Sequence, residues 1–216
     1  MGALAGEHHV LALDRRWAPL SESVDDTVRA LHALDGPPPI LIGHSAGAEI
    51  AALVAARRPV GGLVLIAPVI GSGPPAIARR VAGAPVVRTV APPLLRTGLR
   101  VGFRRALQRA WFDRSSLTRD VVDGYRRPLL EPGVAEAMWA MTAQADDVPV
   151  DWGALEDLPC CVIVGDRDRW TTPVPLRSAT RHVYPGCGHL PHEEQPDRVV
   201  GDLRRFLEQV QSEHPG

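Results

Sequence analysis

Ser45 stands between two glycines in the pentapeptide Gly43-His44-Ser45-Ala46-Gly47. An apolar run, residues 40–42 (ILI), precedes it, and a strong helix former, AGAEIAALVAARR, follows. G-x-S-x-G between a strand and a helix is the pattern that holds a serine on a sharp turn with its hydroxyl exposed. The glycines let neighbouring backbone and side chains come close. The helix that follows aims its N-terminus at the same place and favours negative charge there. The plain alternative is a small residue in a tight turn. The pentapeptide alone occurs by chance; its strand–turn–helix setting is what favours a nucleophile. A serine hydroxyl needs a base to take its proton and an acid to hold that base. Two later stretches offer them: CVIVGDRD ends an apolar run with Asp166 and Asp168, and PGCGHLPHEEQP carries His189 and His192.

The elements that must position these residues are legible as short apolar runs. Residues 10–13, 40–42, 63–66 and 161–164 are continuous rather than alternating, as for parallel strands buried on both faces. Residues 182–184 make a weaker fifth run. SESVDDTVRALHAL lies between the first two, with Val24, Val28, Leu31 and Leu34 as an apolar stripe and Ser21 or Ser23 as a cap. Pro59 stops the helix after Ser45. PDRVVGDLRRFLEQV places Val199, Val200, Leu203, Phe206, Leu207 and Val210 on one face of a final helix. Strand–helix alternation of this kind predicts an α/β doubly wound sheet.

Residues 71–158 break the alternation. They are rich in proline and arginine and show no convincing strand. Leu95, Leu99, Phe103, Leu107 and Trp111 recur every four residues with arginines between them, which predicts a basic amphipathic helix. Charge is segregated: residues 79–127 hold twelve Arg and three Asp, a net of +9, and residues 128–158 hold seven acids and no Arg, a net of −7. We read this stretch as a helical cap over the C-terminal edge of the sheet. The organisation expected is core residues 1–70, cap residues 71–158 and core residues 159–216.

The 216 residues suffice for one domain with a sizeable core, and a net charge of −1 gives no reason to expect a nucleic-acid partner. Three cysteines, Cys160, Cys161 and Cys187, are too few for a disulfide framework, so a reducing, cytoplasmic compartment is expected. No secretory leader and no membrane-length apolar run is seen, and the amphipathic helix is expected to lay its apolar face over the interior, so no membrane partner is expected. Cys187, His189 and His192 have a C-x-H-x-x-H spacing but lack a fourth ligand, so no metal is expected, and nothing implies a cofactor.

With Ser45, an acid and His189 in that chain order, the sequence resembles the α/β-hydrolase superfamily, in its esterase-like branch with a helical cap. The resemblance covers residues 2–210. It implies an α/β-hydrolase fold, a mostly parallel doubly wound sheet with an inserted cap. In that branch the acid lies in G-x-x-D after the penultimate strand, which is Asp168 here rather than Asp166. G-H-x-x-H-x-E-x-P matches GHLPHEEQP, so the base carries over to His189 and His192 becomes structural. The backbone N–H of Ala46 is the expected oxyanion donor. His44 is expected to be a packing residue. A serine nucleophile disfavours the aspartate-dependent dehalogenase and epoxide-hydrolase members.

The chain departs from the family at its start. GALAGEHHVLALDRRW resembles the end of the family's first helix followed by its fourth strand, so the fold is expected to be N-terminally shortened. No H-G pair precedes Ser45 on any strand, and that loop supplies the family's other oxyanion N–H. The missing third strand would lie between residues 10–13 and 40–42. A late start, a re-paired sheet or a strand from a partner would each account for this; the first is preferred. The loop DRRWAPLSES lacks the family's D-x-x-G glycine. Only 20 residues separate Asp168 from His189, so the usual helix there is shortened or lost. The function expected is a serine hydrolase acting on a small ester or related acyl substrate. A thioesterase or acyltransferase drawing an acidic carrier protein to the arginines is the alternative, and a non-catalytic chain the third. A second copy of the chain remains open as a partner.

Overall fold

The computed structural model describes residues 2–14 and 17–213. Its sheet has four parallel strands in sequence order, β1 (Ile40–His44), β2 (Gly62–Ile66), β3 (Cys160–Gly165) and β4 (Thr180–Tyr184). Helix α1 (Leu20–His32) precedes β1, and α2 (Ala46–Ala55) joins β1 to β2. Between β2 and β3 the described chain is helical: α3 (Ala76–Gly83), α4 (Pro85–Ala110), α5 (Arg119–Leu129), α6 (Val134–Ala143) and one 3-10 turn at Gly153–Leu155. A short α7 (Pro191–Glu194) and a long α8 (Pro196–Glu213) follow β4.

The strands send alternate residues to two apolar layers, as their continuous apolar sequences require. Val64, Ile66, Cys161, Ile163 and Tyr184 pack against Val199, Leu203, Phe206, Leu207 and Val210 of α8. Leu63, Leu65, Cys160 and Val162 pack on the other face against Ala48, Ala51 and Ala52 of α2. Helix α2 is apolar apart from Glu49 because it is covered twice: Ile50, Leu53 and Val54 meet Val24 and Leu31 of α1 on its outer side. The cap of α1 comes from neither serine. The Asp146 carboxylate accepts from the N–H groups of Leu20 (2.8 Å) and Ser21 (3.1 Å), from far along the chain. Burial works against the Asp146 charge, but these hydrogen bonds outweigh it and hold its carboxyl below the usual range.

Two expectations change. Residues 10–13 form no strand, and β1 pairs with β2 alone. A ladder needs a neighbour about 4.8 Å away, and no ladder joins residues 10–13 to β1 among the described residues. Val10 packs against the α8-side layer, while Leu11 and Leu13 are exposed. Strand β1 is therefore an edge, and Ile42 on it is 46% exposed. Second, Leu34 lies beyond the end of α1 and is exposed, so the α1 stripe closes at Leu31. Arg15 and Arg16, in the loop without the expected glycine, lie outside the described residues. The stretch between Asp168 and β4 contains no helix, and no helix among the described residues is long and apolar enough to cross a membrane.

Candidate active site

All four strands run the same way, so the loops after β1, β3 and β4 open at one edge of the sheet. That edge is where ligands meet open α/β sheets. Ser45 follows β1 directly, with φ 55° and ψ −125°. A non-glycine residue at positive φ is strained and persists only where its surroundings over-determine it. Here the Ser45 N–H donates to Ile66 of β2 (3.0 Å), and the Ser45 carbonyl accepts from the N–H of Ala48 (3.0 Å). Gly43 makes the turn feasible: a Cβ there would lie 2.3 Å from the Gly47 carbonyl oxygen and 2.6 Å from the Ala48 Cα. Gly47 differs from expectation, since a Cβ at that position would meet nothing within 4 Å. Only the first glycine of the pentapeptide is demanded by packing.

Three predicted side chains meet at this edge. Ser45 Oγ lies 2.9 Å from His189 Nε2, and His189 Nδ1 lies 2.8 Å from Asp168 Oδ2. An ionised carboxylate only accepts, so Nδ1 carries the proton and Nε2 is left to accept from the serine hydroxyl. Asp168 takes two more hydrogen bonds, from the Trp170 N–H (2.9 Å) and from the Thr171 hydroxyl. Burial pushes the Asp168 carboxyl up, but the bonds from His189, Thr171 and Trp170 outweigh burial and hold it below the usual range. Asp166 has other work: its N–H donates to Tyr184 (2.9 Å) and its carboxylate accepts from the Cys187 N–H (3.3 Å). Ala46 is the first residue of α2, so its N–H has no acceptor within the helix.

The position of His189 is fixed by several neighbours. Its N–H donates to the carbonyl of Ala110, the last residue of α4 (2.7 Å). Its carbonyl accepts from His44 Nε2 (2.8 Å), so that nitrogen of His44 bears a proton. Trp170 stands edge-on to the His189 ring at 5.0 Å between centroids. Glu194 clamps the loop: Oε1 accepts from the Gly188 N–H (2.8 Å) and Oε2 from the N–H groups of Phe112 and Asp113 (2.9 and 3.0 Å). Gly165 and Gly188 allow the approach, since a Cβ at either would lie 2.2–2.3 Å from a carbonyl oxygen. The signal for Glu194 was present as the glutamate in GHLPHEEQP, but not what it would hold.

His44 is more than packing. It joins a cluster with His189 and His192, its ring 5.1 Å and 4.6 Å from theirs. Burial, and then the neighbouring His44 and His189, push His192 down to about 4, and its buried Nδ1 finds no hydrogen-bond partner. Burial also lowers His44, against the pull of its bond to the His189 carbonyl. Cys160, Cys161 and Cys187 are free buried thiols, each pushed up to about 12, chiefly by burial. Among the described residues no group of three or more His, Cys, Asp or Glu could hold a metal ion.

Comparison with known proteins agrees with this architecture. Residues 1–203 match the model of the Alpha/beta hydrolase family. No curated protein sequence matches the chain. Among solved structures, the meta-cleavage product hydrolase of Pseudomonas fluorescens IP01 superposes with a TM-score of 0.73 at 21% identity, over 97% of this chain and 83% of that one. The epoxide hydrolase CorEH gives 0.72 at 17%, over 97% and 85%. A thermophilic esterase from Thermogutta terrifontis gives 0.64 at 24%, over 95% and 76%. At these identities the likeness is one of fold, and with the match along nearly the whole sequence it places the chain in the alpha/beta hydrolase family.

Proposed function

We propose that this chain is a serine hydrolase that cleaves a small ester or related acyl substrate through Ser45, His189 and Asp168. The continuous hydrogen-bonded line from Ser45 Oγ through His189 to Asp168 carries the proposal. A serine on a strained turn beside a histidine of fixed tautomer is what acyl transfer requires. His189 Nε2 takes the hydroxyl proton as Ser45 Oγ attacks the carbonyl carbon. The N–H of Ala46 and the N-terminus of α2 stabilise the negative oxygen of the tetrahedral intermediate. His189 then gives its proton to the leaving group, and the acyl-enzyme remains. Water, activated by the same nitrogen, attacks that ester and releases the acid. Asp168, kept ionised by its hydrogen bonds, stabilises the imidazolium in both halves.

In this reading helices α3–α6 act as a cap over the site. Two contacts support it: α4 ends on the His189 backbone, and Glu194 ties the residues after α4 to the loop carrying the base. Three free thiols support a reducing, cytoplasmic setting.

The test is covalent labelling with a fluorophosphonate probe, read by intact mass beside a Ser45→Ala control. The expected result is one label per chain, absent from the control. A folded chain that takes no label overturns the reading and leaves a non-catalytic family member.

A further inference from the structure

Helix α4 carries two apolar stripes, and only one is used inside the molecule. Leu95, Leu99, Phe103, Leu107 and Trp111 turn inward as the sequence predicts, with Phe103 and Leu107 against the cluster around Trp111 and Leu117. Val86, Val90, Leu94 and Val101 turn outward, and they are 75, 51, 66 and 80% exposed. Their spacing of four, four and seven residues keeps them on one face. At 1.5 Å per residue that face is about 22 Å long. Helix α3 adds the exposed Ile77 and Val81. Single exposed aliphatics are ordinary, but a run along one helix marks an interaction surface.

Charge selects what that surface meets. Residues 76–110 contain eight arginines and no acid. Arg79 is paired with Asp147, while Arg100 and Arg105 are exposed beside the stripe. Two copies meeting through this face would set like-charged, acid-free helices together, so charge disfavours a second copy. A single convex helix with only aliphatic anchors offers no groove for a partner's side chains. A fluid anionic bilayer needs none: valine and leucine enter the boundary of the acyl chains while arginines stay at the headgroups.

We propose that the outer face of α3 and α4 docks on an anionic lipid surface. The expectation of no membrane partner drew on the lack of a membrane-length apolar run and on the inward stripe, and this outer stripe is a separate one. Docking would reach the site through one helix, since α4 ends at Ala110, whose carbonyl holds the His189 N–H. Attraction between the arginines and an anionic surface makes the docking sensitive to salt.

The experiment is co-sedimentation of the full chain with phosphatidylcholine vesicles with and without one quarter phosphatidylglycerol, in low and high salt. Binding to the anionic vesicles is expected to be at least about tenfold tighter and to weaken with salt. Val90→Asp with Leu94→Asp should lower it about tenfold or more, as should Arg100→Glu with Arg105→Glu. Circular dichroism and the fluorophosphonate label report separately on folding and on the serine, so vesicle binding is read independently of the hydrolase reading. Should the aspartate pair unfold the chain, Val101→Asp tests the same stripe. Absence of binding to the anionic vesicles overturns the proposal. So does binding that the aspartates leave unchanged, or self-association that the aspartates dissolve.

Discussion

Toward β2, strand β1 is paired along its whole length, and it ends in a serine whose N–H is bonded to Ile66. On its other side the same strand meets no ladder among the described residues, and Ile42 stands 46% exposed. The serine is nonetheless held in a strained conformation with its hydroxyl on His189. Its placement therefore draws on β2 and on the close approach of α2 to Gly43. The crowded end of the sheet and its open edge should respond very differently to substitution.

The largest effect is expected at the crowded end. Asp168→Asn keeps the side-chain shape but offers His189 the wrong hydrogen-bond pattern for its tautomer. The hydrolytic kcat, or the rate of fluorophosphonate labelling, should fall on the order of 10³–10⁴-fold. A loss smaller than tenfold would mean that Asp168 is not the acid.

Backbone packing comes next. Gly43→Ala forces a Cβ against the Gly47 carbonyl and should cost about 3 kcal/mol or more in urea unfolding. Gly47→Ala meets nothing and lies within α2, so it should be neutral or stabilising by up to about 1 kcal/mol. Equal effects at the two glycines would refute the close approach as the constraint.

The histidine cluster adds a pH signature. Unfolded, His192 binds a proton below about 6.5, but folded only below about 4. Between those values the unfolded state holds more protons, so stability is fully present above 6.5 and is lost as pH falls towards 4. The contribution reaches about 3 kcal/mol at most. His44, lowered in the same direction, adds to the slope. Replacing His192 by asparagine should flatten stability measured at pH 7 and pH 5. An unchanged slope would place the titration elsewhere.

The open edge should show the smallest effect. Ile42→Thr, at an exposed position on a strand paired on one side, should change stability by no more than about 0.5 kcal/mol. A cost of several kcal/mol would mean that Ile42 is covered in solution.

The sequence carried the site further than it carried the sheet. Ser45, Asp168 and His189 were legible because each sits in a short motif whose chemistry restricts the residue types, and the G-x-x-D pattern of the resembled branch separated Asp168 from Asp166. Strands β1, β2 and β3 were legible from the apolar runs at 40–42, 63–66 and 161–164, whereas β4, of sequence TRHVY and mostly exposed, showed only as the weaker run at 182–184. Residues 10–13 have the same composition and form no strand, because a strand exists only through its neighbour's hydrogen bonds. Asp146 on the N-terminus of α1 was illegible for a related reason, as its partners lie more than a hundred residues away.

What the sequence determined by itself was local: which residues can exchange a proton and which runs are apolar. These follow from residue type and spacing within a few turns of chain. Tertiary structure decided what depends on distance through space. It put Asp168 rather than Asp166 on the base, used His44 and Glu194 to hold the loop around His189, made Gly43 and not Gly47 indispensable, and turned one stripe of α4 inward and the other to solvent. A sequence pattern states that a face is apolar, and only packing determines whether anything lies against it.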